Sequence, residues 1–302
     1  MASSTGTILI TGGSGKVGSS LADLCQSSSI PYLLAHRSSS SSTPSTGHPT
    51  VKFDWTDRTT WSSPFTTSSS KTSPITAVFL VAPAIFDSSP ILNDFIDLAR
   101  TQHGVKRFVL LSASVVEAGG PSYGATAKYL QDLGGQGEIG FGIMRPTWFM
   151  DNWSEQHNLR GPIREEGKVY SAAGGGKIPW VSKTDIAACA FQALTAEKAP
   201  NGDYIILGPD LLSYGDVSLC ADILTEITGK KIIHKSVTAE ELANNYIKTM
   251  GLSEVHANFL GTMDVMIKNG LENRLNDVVL SVTGKKPKTF REFAQEHRDA
   301  WV

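Results

Sequence analysis

Short apolar runs alternate with longer amphipathic segments along the first half of the chain. Continuous apolar runs are typical of strands buried on both faces, and they occur at 8–10, 31–36, 51–55, 76–83, 106–112 and 141–144. The segments after Gly18 and Pro90 are amphipathic, and the second repeats its apolar residues every three to four positions, which predicts helices. Segment 57–74, rich in Thr, Ser and Pro, is weakly helical at best. This alternation predicts an α/β fold: a Rossmann-like, doubly wound parallel sheet covered by helices on both faces.

The second half of the chain follows a looser pattern. It suggests strands at 168–170 and 204–207 and helices at 186–195 and 214–228. Capping sequences precede two helices, Ser182–Asp185 with Asp in place of the usual Glu, and Thr289–Glu292 before a C-terminal helix. There is no repeat and no clean linker. We therefore predict a first domain over 1–150 and a smaller α/β cap over 151–302, packed on the first and partly interleaved with it.

A glycine-rich turn follows the first apolar run and opens the first helix. Glycines at 12, 15 and 18 allow a tight turn, a close approach of the backbone to a pyrophosphate and close helix–strand packing. A nucleoside-triphosphate loop does not fit, because Ile10 stands where that motif needs Gly and Val17 where it needs Ser or Thr. The turn predicts a dinucleotide site, although a glycine loop that only reverses the chain remains open. Its predicted contacts are Gly12, Gly13, Ser14, Gly15, Lys16 and Val17.

The residue after the second strand selects the dinucleotide. Arg37, followed by Ser38 and further serines, suits the 2′-phosphate of NADPH better than the free ribose of NADH. The alternative is a surface arginine entering a loop. Because ligands of such sheets bind at the carboxyl ends of the strands, further cofactor contacts are expected at this edge: Asp54 and Trp55 near the adenine, Ala82 and Pro83 near the nicotinamide ribose, and Ser112, Lys128 and Pro146.

Tyr123 and Lys128 are the candidate catalytic residues. Short-chain dehydrogenases that reduce ketones place a Tyr four residues before a Lys, so that the ammonium lowers the pKa of the phenol. Here the two are five apart, which turns them by about 100° around a helix relative to that pairing. We therefore expect no proton relay. Lys128 either contacts the nicotinamide ribose or is a solvated helix residue.

Trp148, Phe149 and Trp153 lie where the two predicted domains meet, and Tyr123 and Phe86 are expected near them. Such a surface suits a flat apolar substrate, and the predicted substrate contacts are Phe86, Tyr123, Trp148, Phe149 and Trp153. The alternative is that these side chains form a core between the two predicted domains. The seven histidines show no metal-ligand spacing, so no metal site is expected.

The composition of the chain limits which classes of partner are expected. The 302-residue chain has 40% hydrophobic and 19% charged residues and a net charge of −2, which favours neither nucleic acid nor an anionic membrane. With no apolar stretch of roughly 18 residues and no leader-like start, a cytoplasmic protein is expected. Cys25, Cys189 and Cys220 are expected to be free, buried thiols. The expected partner is a small molecule; whether the protein is a monomer or a homodimer stays open.

Several strings together resemble a known family. They are Thr11–Lys16, Arg107–Ser114, Arg145–Asn152, Gly176–Pro179, Leu207–Tyr214 and Phe290–Ala294. They resemble the NmrA-like atypical short-chain dehydrogenases, and within them the fungal ergot-alkaloid dehydrogenases that make festuclavine and agroclavine. The resemblance implies NADPH-dependent reduction of an iminium in indole-alkaloid biosynthesis without a Tyr/Lys relay. This chain departs from those dehydrogenases at 124–129, where they carry a His, which implies a different alkaloid.

Two other functions stay open within the resemblance. Some relatives in prenylated-indole pathways couple hydride transfer to cyclisation, including Diels–Alder ring closure. NmrA itself resembles these enzymes but is a regulator that binds dinucleotide without turnover. The predicted aromatic rim favours an enzyme, because a sensor needs no pocket for an organic substrate.

Overall fold

The computed structural model describes residues 6–37, 47–85, 87–215 and 220–302. The predicted contacts Ser38 and Phe86 lie outside these residues. Within them the strands are β1 Thr7–Ile10, β2 Tyr32–His36, β3 Thr50–Lys52, β4 Ile75–Val81, β5 Arg107–Leu111, β6 Gly140–Pro146, β7 Lys168–Ser171, β8 Gly202–Ile206 and β9 Ile233–Ser236.

The helices cover most of the remaining described chain. They are α1 Lys16–Ser27, α2 Ser63–Thr66, α3 Ser68–Thr72, α4 Ser89–Gln102, α5 Gly124–Gly135, α6 Asp151–Glu155, α7 His157–Glu166, α8 Lys183–Thr195, α9 Cys220–Thr228, α10 Ala239–Met250, α11 Glu254–Lys268, α12 Val278–Thr283 and α13 Phe290–Glu296. Short 3₁₀ turns lie at Arg58–Thr60 and Arg298–Ala300.

Seven strands form one parallel sheet in the order β3-β2-β1-β4-β5-β6-β8. Ile10 pairs with Leu34 on one side and Phe79 on the other, so the strand order reverses direction between β1 and β4. This reversal creates the crevice in which doubly wound sheets bind ligands. The predicted fold class is confirmed.

The chain divides into two compact units, and each is described by itself. Unit 1 comprises the described residues as far as Pro146 together with Thr184–Ile206; unit 2 comprises Thr147–Lys183 and the described part of Leu207–Val302. The first boundary lies close to the predicted one at residue 150. Residues 184–206 return to unit 1 because β8 completes the sheet by pairing with β6.

Unit 1 has the core that the apolar runs predict. Leu9, Ile10 and Phe79 are fully buried, and α4 buries one face through Leu92, Phe95, Ile96 and Ala99. The third strand ends at Lys52, three residues before the predicted end, and segment 57–74 forms two short helices and a 3₁₀ turn.

Unit 2 has its own aromatic core and a parallel pair of strands, β7 and β9. The predicted cap of α13 is confirmed: Thr289 and Glu292 form a reciprocal capping box. The helix expected after residue 185 begins earlier, at Lys183, where the backbone N–H donates to Asp151 Oδ2 at 2.8 Å.

The three cysteines are free and buried, as predicted, and burial raises the pKa of Cys25 to about 12. Within the described ranges, no group of three or more His, Cys, Asp or Glu residues could hold a metal ion. No helix in that part of the chain is long and apolar enough to cross a membrane.

Candidate functional site

In the glycine turn between β1 and α1, the backbone of the turn packs directly against the backbone of the first turn of α1. Gly12 adopts a left-handed conformation with φ +65°, and its carbonyl accepts the N–H of Gly15 at 2.8 Å. A Cβ on Gly18 would lie 2.4 Å from the Gly12 carbonyl oxygen, closer than any side chain can approach. The turn therefore needs glycine at these positions, and α1 begins in direct contact with it.

The amino terminus of α1 is suited to an anion. Its N-cap is Gly15, and neither a side-chain cap nor an acidic first-turn residue occurs at this helix end within the described chain. Ser14 and Gly15 are exposed, whereas Val17 is buried. Helix amides and the helix dipole favour a phosphate at such an end. The predicted pyrophosphate contacts from Gly12 to Lys16 thus lie together at this helix end, and Val17 is buried.

Thr11 fixes the turn to the neighbouring strand. Its side chain is fully buried; Oγ1 donates to the Phe79 carbonyl at 2.9 Å and accepts the Val81 N–H at 2.8 Å. These bonds bridge β1 and β4 at their carboxyl ends, the point of strand reversal. The edge that would carry the dinucleotide is therefore stiff.

Arg37 is exposed at the carboxyl end of β2, as the NADPH prediction requires. Its charge acts on Asp54, whose pKa is lowered mainly by hydrogen bonds from the backbone and hydroxyl of Thr56 and further by Arg37 and Lys52. The Asp54 carboxylate is thus engaged in its own turn. An anion bound at Arg37 would have this carboxylate nearby.

Trp55 lies in a different environment from the one predicted. It is 8% exposed, its indole N–H donates to the Val81 carbonyl at 3.1 Å, and its ring packs on Phe53 and Phe95. Its burial in this aromatic core leaves little surface for adenine. We leave Trp55 out of the proposed cofactor contacts.

The carboxyl ends of β4, β5 and β6 supply the rest of the predicted edge. Ala82 and Pro83 are half-buried after β4. The Ser112 hydroxyl is buried and has no hydrogen-bond partner among the described residues. A buried unpaired hydroxyl is costly, so Ser112 is available to a ligand group. Pro146 accepts the N–H of Ser114 at 2.9 Å, which extends the pairing of β5 and β6 beyond the strands.

Tyr123 and Lys128 do not form a relay. Lys128 is exposed on α5, and its ammonium pairs with Asp132 one turn later. Tyr123 is the N-cap residue of α5 and packs partly on the unit 1 core, and burial raises the pKa of its phenol. A relay would lower that pKa. The pairing with Asp132 also directs Lys128 to solvent rather than to a ribose, so we leave Lys128 out of the proposed site.

The aromatic residues of unit 2 separate into two groups. Trp148 and Phe149 are half-buried. Trp153 is fully buried, with its ring 5.4 Å from Trp180 and 5.2 Å from Phe290. The expected substrate contact of Trp153 is corrected, because the side chain is part of the core. Trp148 and Phe149 keep exposed surface.

One buried charge at the carboxyl edge received no role from the sequence. Arg145, in β6, is 4% exposed and hydrogen-bonds Glu117 and Asp203. The sequence signal for such a role was that Arg145, a charged residue, directly follows the apolar run at 141–144. Its partners lie 28 and 58 residues away in the chain, too far apart for a sequence pattern to join them.

Comparisons with known proteins find full-length relatives. Festuclavine synthase II of Penicillium roqueforti is 43% identical over 297 residues, covering 98% of this chain and 100% of that one. Agroclavine dehydrogenase of Claviceps fusiformis is 39% identical over 297 residues, covering 98% and 99%. No protein-family model matches the chain. Among solved structures, the triphenylmethane reductase of Citrobacter sp., complexed with NADP(H), aligns with a TM-score of 0.75 at 17% identity, covering 98% and 100%.

Proposed function

The chain belongs to the family of the fungal festuclavine synthases and agroclavine dehydrogenases, and from that premise we propose that it is an NADPH-dependent reductase delivering hydride to an iminium carbon of an indole alkaloid. The observation that carries the dinucleotide is the glycine turn, closed by backbone contacts and followed by a helix end without a side-chain cap. Relatives that share nearly the full length act in alkaloid chemistry by name, which supports the substrate class.

The cofactor contacts we propose are those that remain at the unit 1 edge. The turn from Gly12 to Lys16 binds the pyrophosphate, and Arg37 binds the 2′-phosphate. Ala82, Pro83, Ser112 and Pro146 border the nicotinamide half, where the unpaired Ser112 hydroxyl can donate a hydrogen bond. When bound, NADPH supplies the hydride.

The substrate is proposed to be cationic because the site offers no proton relay. A ketone needs a proton for its alkoxide, and losing general acid catalysis costs a factor of about 10²–10⁴. Burial keeps Tyr123 protonated and the Lys128 ammonium is paired with Asp132, so neither is arranged for that transfer. An iminium carbon needs hydride and orientation only. Trp148 and Phe149 are proposed substrate contacts, since aromatic faces attract cations by about 0.5–2 kcal/mol.

Single-turnover reduction with deuterated NADPH and an indole-alkaloid iminium tests this proposal. Deuterium should appear at the former iminium carbon, and Tyr123→Phe should slow the chemical step only modestly. Tyr129→Phe is the matched control, because Tyr129 lies on the same helix and its phenol donates to Asp97 at 2.6 Å.

Three results would overturn the proposal. Product without deuterium would indicate cyclisation without net reduction, and no product would favour a dinucleotide-binding regulator. A rate loss of about a thousandfold for Tyr123→Phe alone would instead show that a phenol supplies a proton.

A further inference from the structure

Arg145 lies under the segment that links β5 to α5, at the carboxyl edge of the sheet. Its Nη2 donates to the Ser114 carbonyl at 2.9 Å and to Glu117 Oε1 at 2.5 Å, and Nη1 donates to Glu117 Oε2 at 3.1 Å. Its Nε donates to the Ala113 carbonyl at 3.4 Å. One buried side chain of β6 thus holds the segment at Ala113, Ser114 and Glu117. Burial alone would lower the pKa of Arg145, but hydrogen bonds to Glu117 and the charge of Asp203 outweigh it and raise that pKa.

The backbone of β6 holds the same segment on either side of Arg145. The N–H of Ser112 donates to the Met144 carbonyl at 2.7 Å, and the N–H of Ser114 donates to the Pro146 carbonyl at 2.9 Å. Three successive residues of β6 therefore bind the start of the β5–α5 segment. The contact of Arg145 with Glu117 is the one that reaches furthest along it.

The backbone of Glu117 lies against Gly124, the first residue of α5. Its carbonyl accepts the N–H of Gly120 at 2.9 Å, and a Cβ on Gly124 would lie 2.5 Å from the same carbonyl oxygen. Gly119 donates its N–H to the Gly124 carbonyl at 2.7 Å. The turn from 117 to 124 is therefore closed around the backbone carbonyl of Glu117, while its side chain, which pairs with Arg145, is 76% exposed. A displacement of that carbonyl displaces the first residues of α5.

We propose that Arg145 is a positioning residue, which through Glu117 sets the place of the 112–124 segment, including Ser112 and Tyr123, at the reacting end of the cofactor. The proposal rests on the proposed function for its effect on hydride transfer. Misplacing reacting groups by about 1 Å can cost a factor of 10² in rate.

Asp203 provides a matched control within the same network. It is an acidic partner of the same guanidinium, 3.1 Å from Nη1, but it belongs to β8 and not to the segment. Burial raises the pKa of Asp203 in spite of the attraction of Arg145. Glu117→Gln and Asp203→Asn therefore each remove one negative charge beside the Arg145 guanidinium. Only Glu117→Gln is expected to loosen the segment.

Single-turnover kinetics separate the two variants. Glu117→Gln should lower the rate of hydride transfer by about tenfold or more, with the dissociation constant of NADPH nearly unchanged, because the pyrophosphate turn is not touched. Asp203→Asn should stay within about twofold of the wild type. In the Arg145→Lys background, Glu117→Gln should lower the rate of hydride transfer little further, because both substitutions break the same contact between residues 145 and 117.

Hydrogen exchange tests the anchor without any substrate. Exchange of the Ser114, Gly119 and Gly120 amides should quicken in Glu117→Gln and not in Asp203→Asn. Equal effects of the two variants, or a Glu117→Gln enzyme with wild-type exchange and rate, would overturn the proposal. If the wild type reduces no iminium, the proposed function fails while the exchange result still decides whether Arg145 anchors the segment.

Discussion

Substitution of Gly18 by Ala is the sharpest perturbation of the dinucleotide turn. The new Cβ would lie 2.4 Å from the Gly12 oxygen and 3.2 Å from the Gly13 Cα. Carbon atoms pack at about 3.5–4.0 Å, so helix and turn must separate by about 1 Å. All the obstructing atoms are backbone, and no side-chain rotation can relieve the contact.

Gly18→Ala is expected to lower the affinity for NADPH more than the stability of the fold. Overpacking costs about 1–3 kcal/mol, and Ala recovers about 1 kcal/mol over Gly within a helix. A displaced turn loses at least one charge-assisted hydrogen bond to phosphate, about 1.5–3 kcal/mol, which corresponds to roughly ten- to hundredfold weaker binding. Titration calorimetry with NADPH measures this loss, and thermal unfolding measures the stability.

Gly135→Ala is the matched control for that experiment. Gly135 ends α5, and a Cβ added there would meet no atom within 4 Å. This variant should bind NADPH like the wild type and be no less stable. If folded Gly18→Ala also bound NADPH like the wild type, the assignment of the turn to the pyrophosphate would be refuted.

Three further predictions concern specificity, stability and pH. Arg37→Ala should weaken NADPH binding by the equivalent of about 1.5–3 kcal/mol and leave NADH binding unchanged; calorimetry showing equal affinities of the wild type for both cofactors would contradict it. Thr11→Val should leave the Val81 N–H unpaired and lower stability by about 1–3 kcal/mol, whereas Thr11→Ser should not, and equal melting temperatures would contradict this. Burial raises the pKa of Asp264 to about 6 from an ordinary 3.8, so the folded state holds that proton more tightly and the free energy of unfolding should fall as pH rises between about 4 and 6. Asp264→Asn should lack this decrease of up to about 3 kcal/mol, and parallel denaturation profiles of the two proteins would rule it out.

The sequence could predict the sheet because its signal is local. A parallel strand buried on both faces is a continuous apolar run, and the runs at 76–83 and 106–112 contain most of β4 and all of β5. The glycine turn was equally visible, since its glycines are close together in the chain. Helix α4 showed its period because it buries one apolar face and exposes the other.

Helix α11 had no such signal. In α11, Phe259 is 52% exposed and Val255 71% exposed, while Asp264 is buried. Some apolar residues of this helix are therefore exposed and a charged one is buried. An amphipathic pattern in the sequence cannot predict the buried face of such a helix.

The environment of single side chains also lay beyond the sequence. Trp153 and Trp55 could equally have lined a pocket or a core, because an aromatic side chain serves both. Both are buried because aromatic residues from other parts of the chain pack against them, such as Phe290 on Trp153 and Phe95 on Trp55. The role of Arg145 depended in the same way on distant carboxylates.

The late return of the chain to the sheet has a consequence for its synthesis. Strand β8 pairs with β6 from Gly142↔Gly202 to Pro146↔Ile206, so the sheet remains incomplete until Ile206 has left the ribosome. Until then β6 is an edge strand with unpaired N–H and C=O groups, and such edges invite pairing with other chains. A nascent chain must therefore protect this edge while residues 147–201, which include part of unit 2 and α8, are still being made. A fragment cut at residue 150 would keep the edge open permanently, and an independently expressed dinucleotide unit has to include 184–206.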